Sequence, residues 1–419
     1  MTNKTRLILK ENEGIPRSLL IMMAIVAGIT VGNLYYNQPL LEIIKNDLHT
    51  SEILTNLITV ITQIGYALGL CFIVPMGDMF SRRTIITVCL ITATIMCLTI
   101  SFATHIYIMW GASIVLGIVS IVPQLFIPLA GQYSRPAHKS RNMGVVLSGL
   151  LTGILASRVI SGFVGQWLSW RAMFLIAAGL MVVCLWATLH FLPFTQCNFE
   201  RNYKNLMLSV VSIFRKSPQI RYNSVRAALA FGAMLTLWSC LAFHLANAPF
   251  YASSNMVGIL GLCGVTGAVA ASGVGKLIPR VGVQKFSVLG AILQLCAWAV
   301  AYYFGDTYIG LIVAIIICDL GTQCIQLSNQ GACIQDIPNA ANRVNTIFMT
   351  IYFIGGSLGT FFAGLGWKHA EWTGICLMGS IFTMLSHLHY ALITYVWNNR
   401  LEKEKIIKKE RSLIAPFIE

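Results

Sequence analysis

The sequence predicts an all-α integral membrane protein, with twelve transmembrane helices in two homologous six-helix bundles. Three observations carry that expectation. Hydrophobic residues make up 56% of the 419-residue chain and charged residues only 11%, more apolar surface than a water-soluble domain of this size can hide. Those apolar residues fall into windows of roughly 20, the length that crosses a bilayer as a helix. The chain also repeats itself at a stride of 202 residues: Gly153 recurs as Gly355, Gly162 as Gly364, Arg141 as Arg343, Trp170 as Trp372 and Gln124 as Gln326. Glycine matches alone would carry little in a chain with 35 glycines, but Arg, Trp and Gln share the same register. Duplicated halves in a membrane protein are the usual architecture of a secondary transporter, with the substrate site between them.

In chain order, the first six apolar windows cover 18–38, 54–76, 84–104, 106–130, 144–165 and 172–192. The second six cover 225–246, 256–278, 286–304, 308–332, 346–366 and 373–397. The first is too long for a cleaved signal peptide and is counted as a span. Residues 1–192 therefore form one bundle and 222–397 the other, with a linker at 193–221 and a basic tail at 398–419. In the linker, Leu206, Val210, Ile213 and Phe214 recur at helical spacing beside Arg215 and Lys216, which predicts an amphipathic helix on the membrane surface.

The net charge of +14 does not indicate nucleic acid, because its placement follows topology. With both termini in the cytoplasm, 25 of the 29 Lys and Arg fall on the inner side; Lys45, Arg171 and Lys368 fall outside and Arg158 within a span. That is the positive-inside pattern, with anionic lipid headgroups as partners. The twelve cysteines are scattered through apolar segments without CxxC spacing and read as packing residues. No cofactor is implied.

Pro75-Met76-Gly77-Asp78-Met79-Phe80-Ser81-Arg82-Arg83, between spans two and three, is similar to the signature loop G-x-L-x-D-R-x-G-R-R of the major facilitator superfamily. Asp78, Arg82 and Arg83 fall on its acidic and basic positions; Met79 replaces the middle Arg and Ser81 the Gly. Gly275 to Gly282 reads as a decayed copy, with Pro279 at the acid's position and Arg280 keeping a cation. Within that superfamily the chain resembles the bacterial drug/solute:proton antiporters of DHA1-like type. Gly153 to Gly162 resembles their G-x-x-x-G-P-x-x-G-G signature, with Ser157 for the second Gly and Arg158 for the Pro. The resemblance implies the major facilitator fold, a monomer in the cell inner membrane, and a charge latch formed by Asp78, Arg82, Arg83 and Arg280. It also implies that spans one, four, seven and ten line a central cavity.

Polar stripes occur on those four spans. Asp319, Gln323, Gln326 and Gln330 in span ten are spaced i, i+4, i+7, i+11 and share one helix face. Span four repeats the spacing with Ser113, Gly117, Ser120 and Gln124; Asn33, Tyr36 and Asn37 mark span one, and Cys240, His244 and Asn247 span seven. The expected cavity residues are thus Asn33, Tyr36, Asn37, Gln124, His244, Asn247, Gln323, Gln326 and Gln330. An Asp at mid-helix costs on the order of 2.5–3.5 kcal/mol on insertion, so Asp319 and Arg158 invite partners, and their similar depths allow an ion pair between them. A carboxylate that gains and loses a cation as two halves rock can bind and release a proton. Asp319 with Arg158 is therefore the expected proton-coupling site; a static bridge between the halves is the alternative.

Three functions remain open at this point. One is proton-coupled efflux of small neutral or amphipathic compounds, suited to an amide- and aromatic-rich lining with one acid. The second is proton-linked import of a nutrient, and the third a non-transporting sensor of transporter ancestry. An enzyme is disfavoured, since no HExxH motif occurs and no two embedded acids lie within reach of one another. No phosphate-binding loop of the GxxxxGK[ST] kind occurs either, so the energy source should be an ion gradient.

Overall fold

The computed structural model describes residues 12–193, 202–265, 277, 281–337 and 340–414. Every regular element among them is helical. The first half contains α1 (Arg17–Gly32), the short α2 (Leu41–Asp47), α3 (Glu52–Phe72), α4 (Arg82–Ser101), α5 (Ile106–Val119), α6 (Val122–Tyr133), α7 (Lys139–Trp167) and α8 (Trp170–Phe191). The linker helix α9 (Tyr203–Lys216) leads to α10 (Pro218–Ala246), α11 (Ser254–Gly261), α12 (Val283–Phe304), α13 (Tyr308–Asp336) and α14 (Ala341–Ile414). Nine helices among the described residues are long and apolar enough to cross a membrane. The expected twelve are not reached there: α1 has 16 residues, the stretch after α11 lies outside the described residues, and α14 is broken at Ala370–Glu371.

Local chemistry sets the helix ends. Ser51, Ser169, Ser217 and Thr307 each accept a backbone N–H of the first turn, from Leu54, Ala172, Ile220 and Gly310, satisfying donors that a helix start leaves unpaired. The expected span four is two helices, because Pro123 in the first turn of α6 has no N–H to continue the ladder. The expected span one also stops early. Regular helix ends at Gly32, and residues 33–37 form turns before Gln38–Leu40 and α2.

The repeat has physical counterparts. A side chain on Gly153 would run into the Gly28 backbone, and one on Gly355 into the Ala228 backbone, so α1·α7 and α10·α14 are matching close-packed pairs of small residues. Gly162 lies against Ser254 and Gly258, and Gly364 against Asn56, so both face the opposite half of the chain. Trp170 donates to Asp47 Oδ2 at 3.1 Å, and Trp372 to the Ala301 carbonyl at 2.8 Å. Gln124 donates to the Tyr66 hydroxyl at 3.3 Å; its counterpart Gln326 accepts from the Tyr352 hydroxyl at 2.7 Å.

The end where α1 begins is here called the tail side. On the far side the halves meet along two seams. Asn56 of α3 donates to the Thr360 carbonyl of α14 at 2.7 Å, and Ser254 of α11 donates to the Gly162 carbonyl of α7 at 2.9 Å. On the tail side a recess separates the halves, lined by Arg82, Gln124 and Leu125 from one and Arg343, Asn345 and Met349 from the other. The linker helix lies at that side. Leu206 and Val210 are buried, Leu208 and Val211 face outward, Tyr203 donates to the Phe72 carbonyl at 2.9 Å and Ser209 accepts from Arg343 at 2.9 Å.

Candidate functional site

Six elements converge midway between the far-side seams and the tail-side recess. Arg158 of α7 is 3% exposed. Its guanidinium lies 4.1 Å from the Trp238 ring centroid and 5.0 Å from that of Tyr35, and its Nε donates to Gln38 Oε1 at 2.9 Å. Gly261 of α11 admits it, since a Cβ there would stand 3.1 Å from Arg158 Cβ. Asp319 of α13 is buried, with the Trp238 side chain beside it and Arg158 within electrostatic reach. A direct ion pair between them is not among the described contacts. The acid and the cation come from different halves, and the Trp238 indole stacks on the guanidinium. Asp319 Oδ1, Asn37 Oδ1 and Gln38 Nε2 are buried without a hydrogen-bond partner among the described residues.

On the tail side of this cluster stands a layer of phenols, amides and rings. Tyr66 and Phe353 bring α3 and α14 together with centroids 4.4 Å apart, and Phe231 stacks on Tyr352 at 4.0 Å and 13°. Gln124 and Gln326 hold the two phenols, and Gln330 donates to Asn345 Oδ1 at 2.7 Å. Gln323 is half-buried on the same helix. Gln124 lines the tail-side recess, and Gln330 reaches Asn345 and Met349 of its opposite wall.

Other expected cavity residues are placed elsewhere. Asn33 donates toward Ser120 Oγ at 3.4 Å and Met181 Sδ at 3.5 Å and accepts from Cys97, all within the first half. Tyr36 packs back on Gly32. The reason is the end of α1 at Gly32: the turns that follow change the phase, so Tyr35 and Gln38 reach Arg158 while Asn33 and Tyr36 turn into the first half. His244 lies at the far side, its Nε2 3.0 Å from the Gly305 carbonyl and its ring stacked on Trp372 at 3.9 Å. Asn247 is exposed and caps its own helix through the Phe243 carbonyl. In the expected latch, Arg82 is buried and Arg83 donates to the Leu189 carbonyl at 2.7 Å. Arg280 and the side chain of Asp78 lie outside the described residues.

Residues 21–360 match the Major Facilitator Superfamily. The chain belongs to that superfamily. It is therefore a multi-pass membrane transporter and not an enzyme. This superfamily member is 34% identical over 381 residues to the uncharacterized transporter YgaY of Escherichia coli O157:H7, covering 90% of this chain and 96% of the relative. Among solved structures it resembles the peptide transporter POT in complex with sulfate, with a TM-score of 0.73, 13% identity and coverage of 93% and 97%. It also resembles a bacterial homolog of the human lysosomal transporter Spinster in an inward-facing, unoccupied conformation, with a TM-score of 0.69, 15% identity and coverage of 90% and 96%. At such identities these likenesses speak for the fold alone.

Proposed function

We propose that this transporter exports small neutral or amphipathic organic compounds in exchange for protons, by alternating access around the chamber between its halves. The observation that carries the reading is the Asp319–Trp238–Arg158 cluster. An acid on α13 and a cation on α7 come within electrostatic reach across the two halves beside the Trp238 ring, and a carboxylate oxygen is left buried without a partner among the described residues. Such an oxygen is a natural landing place for a proton, and relative motion of the halves alters the field it feels. In this reading both termini are cytoplasmic, the protein is a monomer of the inner membrane, and the tail-side recess is the inward-facing entrance. The amide and phenol lining suits uncharged hydrogen-bonding compounds with flat apolar faces better than multivalent anions.

The test is transport in proteoliposomes with an imposed pH gradient, using compounds selected by a susceptibility screen of a deletion strain. Asp319→Asn should lose gradient-driven accumulation and retain substrate exchange at equal pH. Undiminished gradient-driven transport by the variant would refute the assignment.

A further inference from the structure

The far-side seam between α3 and α14 carries a feature that closure does not require. Asn56, Thr59 and Gln63 stand at i, i+3 and i+7, within one face of α3, and all three are buried. Asn56 Oδ1, Thr59 Oγ1 and both polar ends of Gln63 lack a hydrogen-bond partner among the described residues, as does Thr360 Oγ1 on the facing helix. Buried polar atoms are nearly always paired, and each one left unpaired costs free energy. The counterpart seam between α7 and α11 closes without that cost: it is built on Gly162, Gly258 and Gly261, and its Ser254 hydroxyl is satisfied by the Gly162 carbonyl. A seam that served closure alone could carry Leu and Val in place of Gln63 and Thr59. The stripe lies on the same helix as Tyr66, which already belongs to the chamber, so it extends the chamber lining toward the far side.

We infer that the Asn56–Thr59–Gln63 stripe is a latent binding track that takes uncharged hydrogen-bonding groups, hydroxyls and amides, of the departing substrate when the far side opens. The inference rests on the alternating-access reading above and extends it to the exit path and to the chemistry admitted there. In the closed arrangement the stripe is buried; the Asn56 amide donates to the Thr360 carbonyl, and the Asn56 Oδ1, Thr59 Oγ1 and Gln63 atoms are idle. When the seam parts, amide and hydroxyl groups become available at successive turns, and none of the three carries a charge.

The first measurement is labelling of Thr59→Cys, a near-isosteric change, by a membrane-impermeant maleimide added to the far side of proteoliposomes and read at that peptide by mass spectrometry. Ile58→Cys is the control, equally buried at 1% exposure but 100° round the helix. Cys at 59 should react at least tenfold faster than Cys at 58; equal inertness would overturn the proposal. With Gln63 intact, N-methylacetamide should slow labelling at 59 while sodium acetate does not, and equal effects would overturn the ligand class. Gln63→Leu should raise the melting temperature in detergent and reduce labelling at 59; a lower melting temperature with unchanged labelling would count against the track. None of these readouts uses a proton gradient, so they stand or fall separately from the Asp319→Asn test.

Discussion

The close approach of α1 and α7 permits a quantitative test of the packing that holds the first half together. At Gly153 a Cβ would penetrate the carbonyl, Cα and carbonyl carbon of Gly28, and at Gly28 a Cβ would stand 2.6 Å from the Gly149 carbonyl oxygen. Both partners are backbone, so no rotamer change can relieve Gly153→Ala, and the helices themselves must separate. Overpacking of that kind costs about 1–3 kcal/mol, and rigid backbone neighbours place this site toward the upper end. The helix itself gains about 0.5–1 kcal/mol from Ala over Gly, so the net loss should be about 1–2 kcal/mol. Gly144 on the same helix has nothing within 4 Å of its Cβ position, so Gly144→Ala should keep the helix gain alone. The two variants should therefore differ by about 2–3 kcal/mol in detergent-mediated unfolding followed by tryptophan fluorescence. Gly355→Ala, which would meet the Ala228 backbone, should behave like Gly153→Ala. Equal stability of the Gly153 and Gly144 variants would refute the close-packed account of this helix pair.

Three further outcomes are expected. Arg158→Leu should abolish gradient-driven transport, and Arg158→Lys should restore only part of it, since an ammonium keeps the charge but loses the planar stack on Trp238 and Tyr35; full activity in the Leu variant would remove Arg158 from the coupling site. Tyr352→Phe deletes the donor to Gln326 while keeping the ring on Phe231, and loss of about 0.5–1.5 kcal/mol should weaken substrate binding roughly two- to tenfold in direct titration. At the far side, the Arg171 guanidinium and then the Trp170 N–H hold the Asp47 carboxyl below the usual carboxylate range. Its stabilising contribution is present above about pH 3.9 and lost as pH falls through the lowered folded value. Melting curves of Asp47→Asn and the parent should thus converge in acid and separate at neutral pH. The separation should be small, because these side chains are 43% and 37% exposed and solvent screens them.

The sequence made the fold class legible because lipid imposes a coarse constraint: apolar windows of spanning length and a repeated register mark an all-helical membrane protein, though not each helix. Asp319 and Arg158 stood out for the same reason, as charges where charge is expensive. Gln124 and Gln326 were legible as a repeated pair, although their phenol partners Tyr66 and Tyr352 were not, since aromatics in apolar helices carry no periodic signal that separates a cavity wall from packing. The position of Trp238 against the Arg158 guanidinium is a tertiary fact. Span one misled through helix phase. Asn33 and Asn37 share a face only if the helix continues past Gly32, and it does not. Asn56, Thr59 and Gln63 had the same kind of spacing as the stripes that were read and could have been found in the same way.

The placement of Arg158 ties the chamber to the far-side seam. Burying a guanidinium costs several kcal/mol after relaxation. The aromatic cage returns about 2 kcal/mol and the Gln38 hydrogen bond about 1.5–3 kcal/mol, and the field of a charged Asp319 adds to both. Arg158 sits one turn before Gly162 and two before Gly165, the residues through which α7 lies against Ser254. A rigid helix cannot shift at Gly162 without carrying Arg158 relative to Trp238 on α10. On the proposed reading, the charge state of Asp319 therefore bears on the seam through one helix, without any relay of intermediate side chains: neutralising the carboxylate removes a contribution that keeps α7 in its closed position, and parting the seam removes the cation from the carboxylate's surroundings.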